Sequence, residues 1–243
     1  LGVVLQELGR LENAEESYGQ AIALKSDYIE AFMNRWDLLF KKREFEAALI
    51  DADFCDTRSS RLHSLETLYA LGRIQEIYQR IEVQSEVDDG DLGVAAFASF
   101  IANKEKKDTA NKFCNKPLEF LHFANISSYL QNANVFIKEL AEELHDVKTI
   151  WEPSKRATRK GFQTAKNINL FTNPSVKVAI LKSIIAEELD LYYLKFQKKS
   201  CFYIKNWPTE KNLSAWHVIL KHQGHQTAHI HPGGWLSGVI YLK

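Results

Sequence analysis

Apolar positions in the first third of the chain recur every three or four residues, the spacing of one face of an α-helix. The stretch 1-LGVVLQELGRLENAEESYGQAIAL-24 breaks at Leu8-Gly9, and 29-IEAFMNRWDLLFKKREFEAALIDADF-54 keeps Phe32, Leu39 and Phe45 on one face. A shorter, looser copy follows in 66-ETLYALGRIQEIYQRI-81. The apolar run 92-LGVAAFASFIA-102 reads as a buried helix, too short to span a bilayer. Helical spacing returns in 130-LQNANVFIKELAEELHDV-147, with Leu130, Val135, Phe136, Leu140 and Leu144 in register. It returns again in 174–196, which Asn173-Pro174 opens and in which Ile180, Ile184, Leu191 and Leu194 form the apolar stripe. The period then falls to two. Segments 215-AWHVILK-221, 226-QTAHIH-231 and 235-WLSGVIYLK-243 predict three strands, with Pro232-Gly233-Gly234 as a turn. The pattern predicts an α+β multidomain chain: helices first, then a helix packed on a sheet.

The first rhythm has a longer period. Advancing by roughly 34 residues carries Ala14 onto Ala48, Tyr18 onto Ala52 and Ala21 onto Cys55. Small residues at such positions let two antiparallel helices approach, and aromatics fill the groove between successive pairs. Leu1, Gly2, Ala14, Tyr18, Ala21 and Ser26 resemble the tetratricopeptide pattern, with Ser26 where that family prefers proline. The resemblance implies stacked helical hairpins whose groove binds a peptide or partner protein, with further copies expected before Leu1. The organisation expected is repeats over 1–84, a helical and polar connector over 85–117, and a third region over 118–243. The connector carries the acidic 85-SEVDDGD-91 and the lysine-rich 102-ANKEKKDTANK-112.

Composition narrows the function classes. The 243 residues suffice for two modest cores, and 31 basic residues balance 31 acidic ones. No global field points to nucleic acid or an anionic membrane. Cys55, Cys114 and Cys201 are odd in number and far apart, which argues against a disulfide framework and for a reducing, cytoplasmic setting. One segment departs from neutrality: from Lys155 to Lys166 the chain carries Lys155, Arg156, Arg159, Lys160 and Lys166 and no acid. It reads as an exposed basic loop within 151-WEPSKRATRKGFQTAKNINLF-171, serving as a connector or recruiting an acidic substrate through its arginines.

Candidate chemistry sits near the end. Five of the eight histidines fall between His217 and His231. On a strand, His229 and His231 point to the same side while Ala228 and Ile230 point to the other. Two neighbouring neutral imidazoles can chelate a divalent iron, zinc, copper or nickel ion. His217, His222 and His225 lack that pairing and read as surface residues or supports behind the ligands.

The segment 224-GHQTAHIHPGGWLSGVIYL-242, with 151-WEPSKRATRKGFQT-164 upstream, resembles the 2-oxoglutarate/Fe(II) oxygenases that follow tetratricopeptide repeats in bacterial proteins. The resemblance implies the N-terminal part of a double-stranded β-helix, or jelly roll, holding Fe(II) on its inner face. It implies 2-oxoglutarate as co-substrate and hydroxylation of a substrate as the reaction. His229 is then the proximal metal ligand. His231 stands where the superfamily places an aspartate, and binds the metal or shapes the pocket. Ser237 and Tyr241 are the candidate contacts to 2-oxoglutarate, with sheet packing as their other reading. The superfamily's distal histidine and the basic residue for 2-oxoglutarate are expected beyond Lys243, so the chain reads as truncated at both ends and inactive by itself. A cupin-like metal site, or a repeat scaffold whose C-terminal part has lost its chemistry, is the alternative; a zinc hydrolase lacks its His-Glu-x-x-His helix.

Overall fold

Three short turns set the geometry of the first unit, which covers Leu1–Pro117. The structure, a computed structural model, describes every residue except Asp89, Lys155, Pro232 and Lys243. The roles expected of Lys155 in the basic run, Pro232 in the turn and Lys243 in the last strand lie outside the described residues. Helix α1 (Gly2–Glu7) meets α2 (Leu11–Leu24), α3 (Ile29–Lys41) meets α4 (Phe45–Cys55), and α5 (Arg58–Ala70) meets α6 (Ile74–Val87). Each hairpin turns through a left-handed residue: Gly9 at φ 74°, Arg43 at 64° and Gly72 at 72°. Behind each, an amide closes the preceding helix at 2.9 Å, from Arg10 to the Leu5 carbonyl, Glu44 to Leu39 and Arg73 to Leu68. Glycine takes this conformation without steric cost, whereas Arg43 takes it against its own Cβ.

Arg43 follows Gly9 by 34 positions, but Gly72 follows Arg43 by only 29. The difference is local. Helix α4 has 11 residues where α2 has 14, and residues 56–57 replace the four-residue link 25–28. Ala14, Ala48 and Ala52 are buried where helices cross, as the small-residue pattern predicts, while Phe45 opens α4 and meets Phe40 edge-on. Trp36 of α3 donates from Nε1 to Thr67 Oγ1 of α5 at 3.0 Å and stacks on His63 at 3.7 Å. The Arg35 guanidinium holds the buried Asp51 carboxylate through two bonds of 2.7 and 2.6 Å. Residues 85–117 contribute α7 (Leu92–Glu105), capped by Asp91, whose Val94, Phe97, Ala98 and Ile101 join the core of Leu62, Leu68, Ile77 and Ile81. No described helix is long and apolar enough to cross a membrane.

The second unit takes Leu118–His231 and the residues from Trp235 onward. Helix α8 (Ala133–His145) buries Leu140 and Leu144 against Phe171 and Val178. Helix α9 (Val176–Phe196) is capped by Ser175 rather than by Asn173, because the Ser175 hydroxyl accepts the Val178 amide. Its inward face is also not the predicted one. Val178, Leu181, Ile185, Tyr192 and Phe196 face partners, while Ile180, Leu191 and Leu194 are exposed. The helix is apolar on more than one face, so spacing alone allowed both choices. The short α10 (Phe202–Lys205) brings Tyr203 to Tyr192, and Trp207 stacks on Tyr192 at 5.4 Å.

A carboxylate staples the segment before α8 to α9. Glu188 accepts from Tyr129 Oη at 2.5 Å and lies 2.7 Å from His122 Nε2. The Tyr129 bond draws the Glu188 pKa below its ordinary 4.5, and the same bond pushes the Tyr129 phenol up to about 12. A depressed carboxylate stabilises the fold above its unfolded pKa and loses that contribution as pH falls through the folded one. Glu188→Gln should therefore lower the melting temperature at pH 7, and the gap to the parent chain should narrow as the pH falls below the ordinary 4.5 and through the lower folded pKa. Thermal unfolding of both chains from pH 7 to 3 checks this; a gap independent of pH refutes it.

The sheet has three antiparallel strands in the order β1 (Thr149–Trp151), β2 (Thr158–Thr164) and β3 (Val218–Gln226), with α9 and α10 inserted between β2 and β3. Trp151, Phe162 and Ile219 stand side by side across it. Two expectations are corrected here. The basic segment read as a loop contains the central strand, since Thr158, Gly161, Gln163 and Thr164 are buried and only Arg159 and Lys160 are exposed. The charges hid the alternation. The C-terminal strands are redrawn too: β3 runs through His222–His225 without a break, and neither 227–231 nor the described residues of 233–242 form a strand. A bulge explains the continuity. Gln223 adopts φ 58°, the register slips between Arg159 and Gly161, and Gly224 crosses so close that a Cβ there would lie 2.5 Å from the Lys160 carbonyl. Strand β3 stops at Gln226 because it pairs there with Thr158, the first residue of β2.

Candidate metal-binding site

The end of β3 and the turn between β1 and β2 meet although some 70 positions separate them. Gln226 donates from Nε2 to Thr158 Oγ1 at 3.3 Å, and Thr158 donates to the buried Gln163 Oε1 at 2.8 Å. One residue further on, the Thr227 amide donates to the Ala157 carbonyl at 2.9 Å. The Thr227 carbonyl in turn lies 2.7 Å from His229 Nδ1. A carbonyl can only accept, so Nδ1 carries the proton and Nε2 of neutral His229 presents its lone pair.

That lone pair faces His231. The two Nε2 atoms are 3.2 Å apart, with ring centroids at 4.8 Å and planes at 82°. The predicted pairing of the imidazoles is present, but by a different route: an i to i−2 side-chain bond outside any strand positions His229, not strand alternation. Ile230, expected on an apolar face, is 40% exposed. His231 is half-buried and tilts against the Trp216 indole at 5.5 Å. Burial, then neighbouring His229 and Arg156, holds its pKa below the usual histidine value. A lowered pKa keeps the ring neutral, and only a neutral ring can ligate.

A separation of 3.2 Å is what two nitrogens span when each lies ~2.1 Å from one cation and about 100° apart. The anchored Nδ1 is the arrangement that orients a ligating histidine. The pair thus has the spacing of two imidazole ligands on one divalent cation, with His231 at the position where the superfamily's ligand set has a carboxylate. Among the described residues no third histidine, cysteine or carboxylate completes a cluster.

Other expected residues fall elsewhere. Ser237 and Tyr241 are exposed, the latter 82%, on a segment outside the sheet. His222 and His225 are exposed on β3, as expected of surface residues. His217 is instead half-buried, with Nδ1 2.9 Å from Thr164 Oγ1, and burial pushes its pKa down. The contributions of the Thr227 and Ala157 carbonyls escaped sequence reasoning, because backbone atoms leave no residue signature. In the first unit a cavity of about 360 Å³ opens among α4, α5 and α6, but Arg80 and Arg61 there are already engaged by Asp53 and Asp56.

Residues 214–243 match a family model described as "putative 2OG-Fe(II) oxygenase". The match contains β3, the imidazole pair, Ser237 and Tyr241, and none of the helical hairpins. That family implies Fe(II) and 2-oxoglutarate as its cofactor and co-substrate. No curated protein and no solved structure matches the chain.

Proposed function

We propose that the second unit belongs to a 2-oxoglutarate- and Fe(II)-dependent oxygenase in which His229 and His231 hold the metal, and that the helical hairpins form a tetratricopeptide docking module. The observation that carries the reading is the Nε2 pair at 3.2 Å, one ring fixed by a backbone carbonyl, inside the matched segment. When bound, Fe(II) with 2-oxoglutarate and oxygen supplies the oxidising chemistry that hydroxylates a substrate and releases succinate and carbon dioxide. The chain's own residues prepare for it. Thr227 sets the His229 tautomer, Trp216 backs His231, and burial holds the His231 pKa down, which favours its neutral, lone-pair-bearing ring. Ser237 and Tyr241 remain the proposed contacts to the co-substrate. The repeated turns and buried alanines support the docking reading, with a peptide or protein segment as the partner.

The test uses the full-length protein: succinate released from 2-oxoglutarate should rise with Fe(II) and vanish with a chelator. Metal uptake without succinate would instead favour a cupin-like or degenerate jelly roll on a repeat scaffold.

A further inference from the structure

The acid-free character of the sheet concentrates on one side chain. No aspartate or glutamate occurs from 153 to 186 or from 211 to the end, so the chain that forms β2, β3 and the imidazole segment carries only basic charge. The neutral total therefore conceals a positive region, and such a region raises the local concentration of anions. Most of its cations are engaged. Arg159 Nη1 donates to the Arg156 and Thr158 carbonyls at 2.7 and 2.9 Å, and Lys160 Nζ donates to Gln223 at 2.9 Å. Glu152, the acid at the start of the turn, accepts the Lys160 amide at 2.5 Å.

Arg156 differs. Its backbone is fixed by a turn bond from its amide to Pro153 at 3.2 Å and by the Arg159 contact to its carbonyl. Its side chain is exposed and makes no ion pair among the described residues. The next residue, Ala157, receives the Thr227 amide, and Thr227 orients His229. A hydrogen-bonded turn backbone, an exposed guanidinium and a nearby imidazole pair are thus linked by two hydrogen bonds. A guanidinium binds carboxylate or phosphate through a planar fork, which fixes direction as well as charge.

We propose that Arg156 anchors a carboxylate or phosphate group of the molecule to be oxidised, so that the substrate is anionic. The inference rests on the oxygenase reading of the same site. With inorganic phosphate and succinate as probes, the metal-free chain labelled with nitrogen-15 should show a saturable shift of the Arg156 Nε–Hε signal. Arg156→Gln should weaken both affinities at least tenfold and Arg156→Lys should restore part of the loss. Lys166→Gln, which removes one charge beyond the far end of β2, should change them less than twofold. Equal losses in Arg156→Gln and Lys166→Gln, or none in either, would overturn the proposal, the first pointing to a diffuse field. In the Fe(II)-loaded full-length protein, Arg156→Gln should leave 2-oxoglutarate affinity within twofold; a tenfold fall assigns the arginine to the co-substrate and also overturns it. Cobalt(II) uptake by the same samples separates the two readings. Uptake without an anion response sinks the anionic site alone, and an anion response without uptake sinks the metal site alone.

Discussion

Arg35→Ala is expected to lower the stability of the helical unit by about 3–5 kcal/mol, the cost of leaving a buried carboxylate without its partner. Asp51 is 1% exposed and both of its hydrogen bonds come from the Arg35 fork, so the variant leaves that carboxylate without its protein donors. The pair joins α3 to α4, and the loss should appear as a lower urea midpoint in the far-ultraviolet helical signal. The reverse change should cost less. With Asp51→Ala the Arg35 side chain, already 25% exposed, can turn to solvent. Replacing both with apolar residues of similar volume should recover most of the loss, because the desolvation cost of the pair disappears with its attraction. A single Arg35→Ala variant as stable as the parent would show that the fork contributes nothing to the hairpin.

His229→Ala should reduce divalent-metal affinity by at least ~100-fold in the full-length protein, since even changes in residues that merely orient a ligand cost 10–100-fold. The physical reason is the lone pair oriented by Thr227: alanine removes that nitrogen, and among the described residues no cluster of three donors stands in for it. His231→Asp should retain binding, because an aspartate there brings an oxygen donor of the kind a ferrous site ordinarily includes. It also lowers the charge of the site and removes the contact with Trp216, so the affinity should change while the stoichiometry stays at one ion. Calorimetric titration with Co(II) or Fe(II) reads both variants. Metal lost in the aspartate variant but kept in His229→Ala would reverse the two assignments.

What the sequence disclosed follows from which forces are local. The first hairpin turn was legible because Gly9 marks a left-handed position, and the alanine contacts because close helix crossings admit little else; the turns at Arg43 and Gly72 were not read. The closeness of His229 and His231 was legible for the wrong reason. Two residues apart, they meet either by strand alternation or through a bond from the first ring back to a preceding carbonyl, and the chain uses the second, at Thr227. The remaining misreadings are tertiary. Strand β2 carries Arg159 and Lys160 outward at a bulge, which erases the period of two that would reveal it. Helix α9 has several apolar faces, and only the position of Phe171 and α10 selects among them.

The bulge at Gly224 gives the smallest group in the protein a long reach. Because nothing larger than hydrogen fits between that α-carbon and the Lys160 carbonyl, β2 and β3 close there, and their closure brings the arginine-bearing turn towards the imidazole segment. A methyl group at that α-carbon would act as a wedge between β2 and β3, loosening the turn's approach to His229 and His231 without touching either ring.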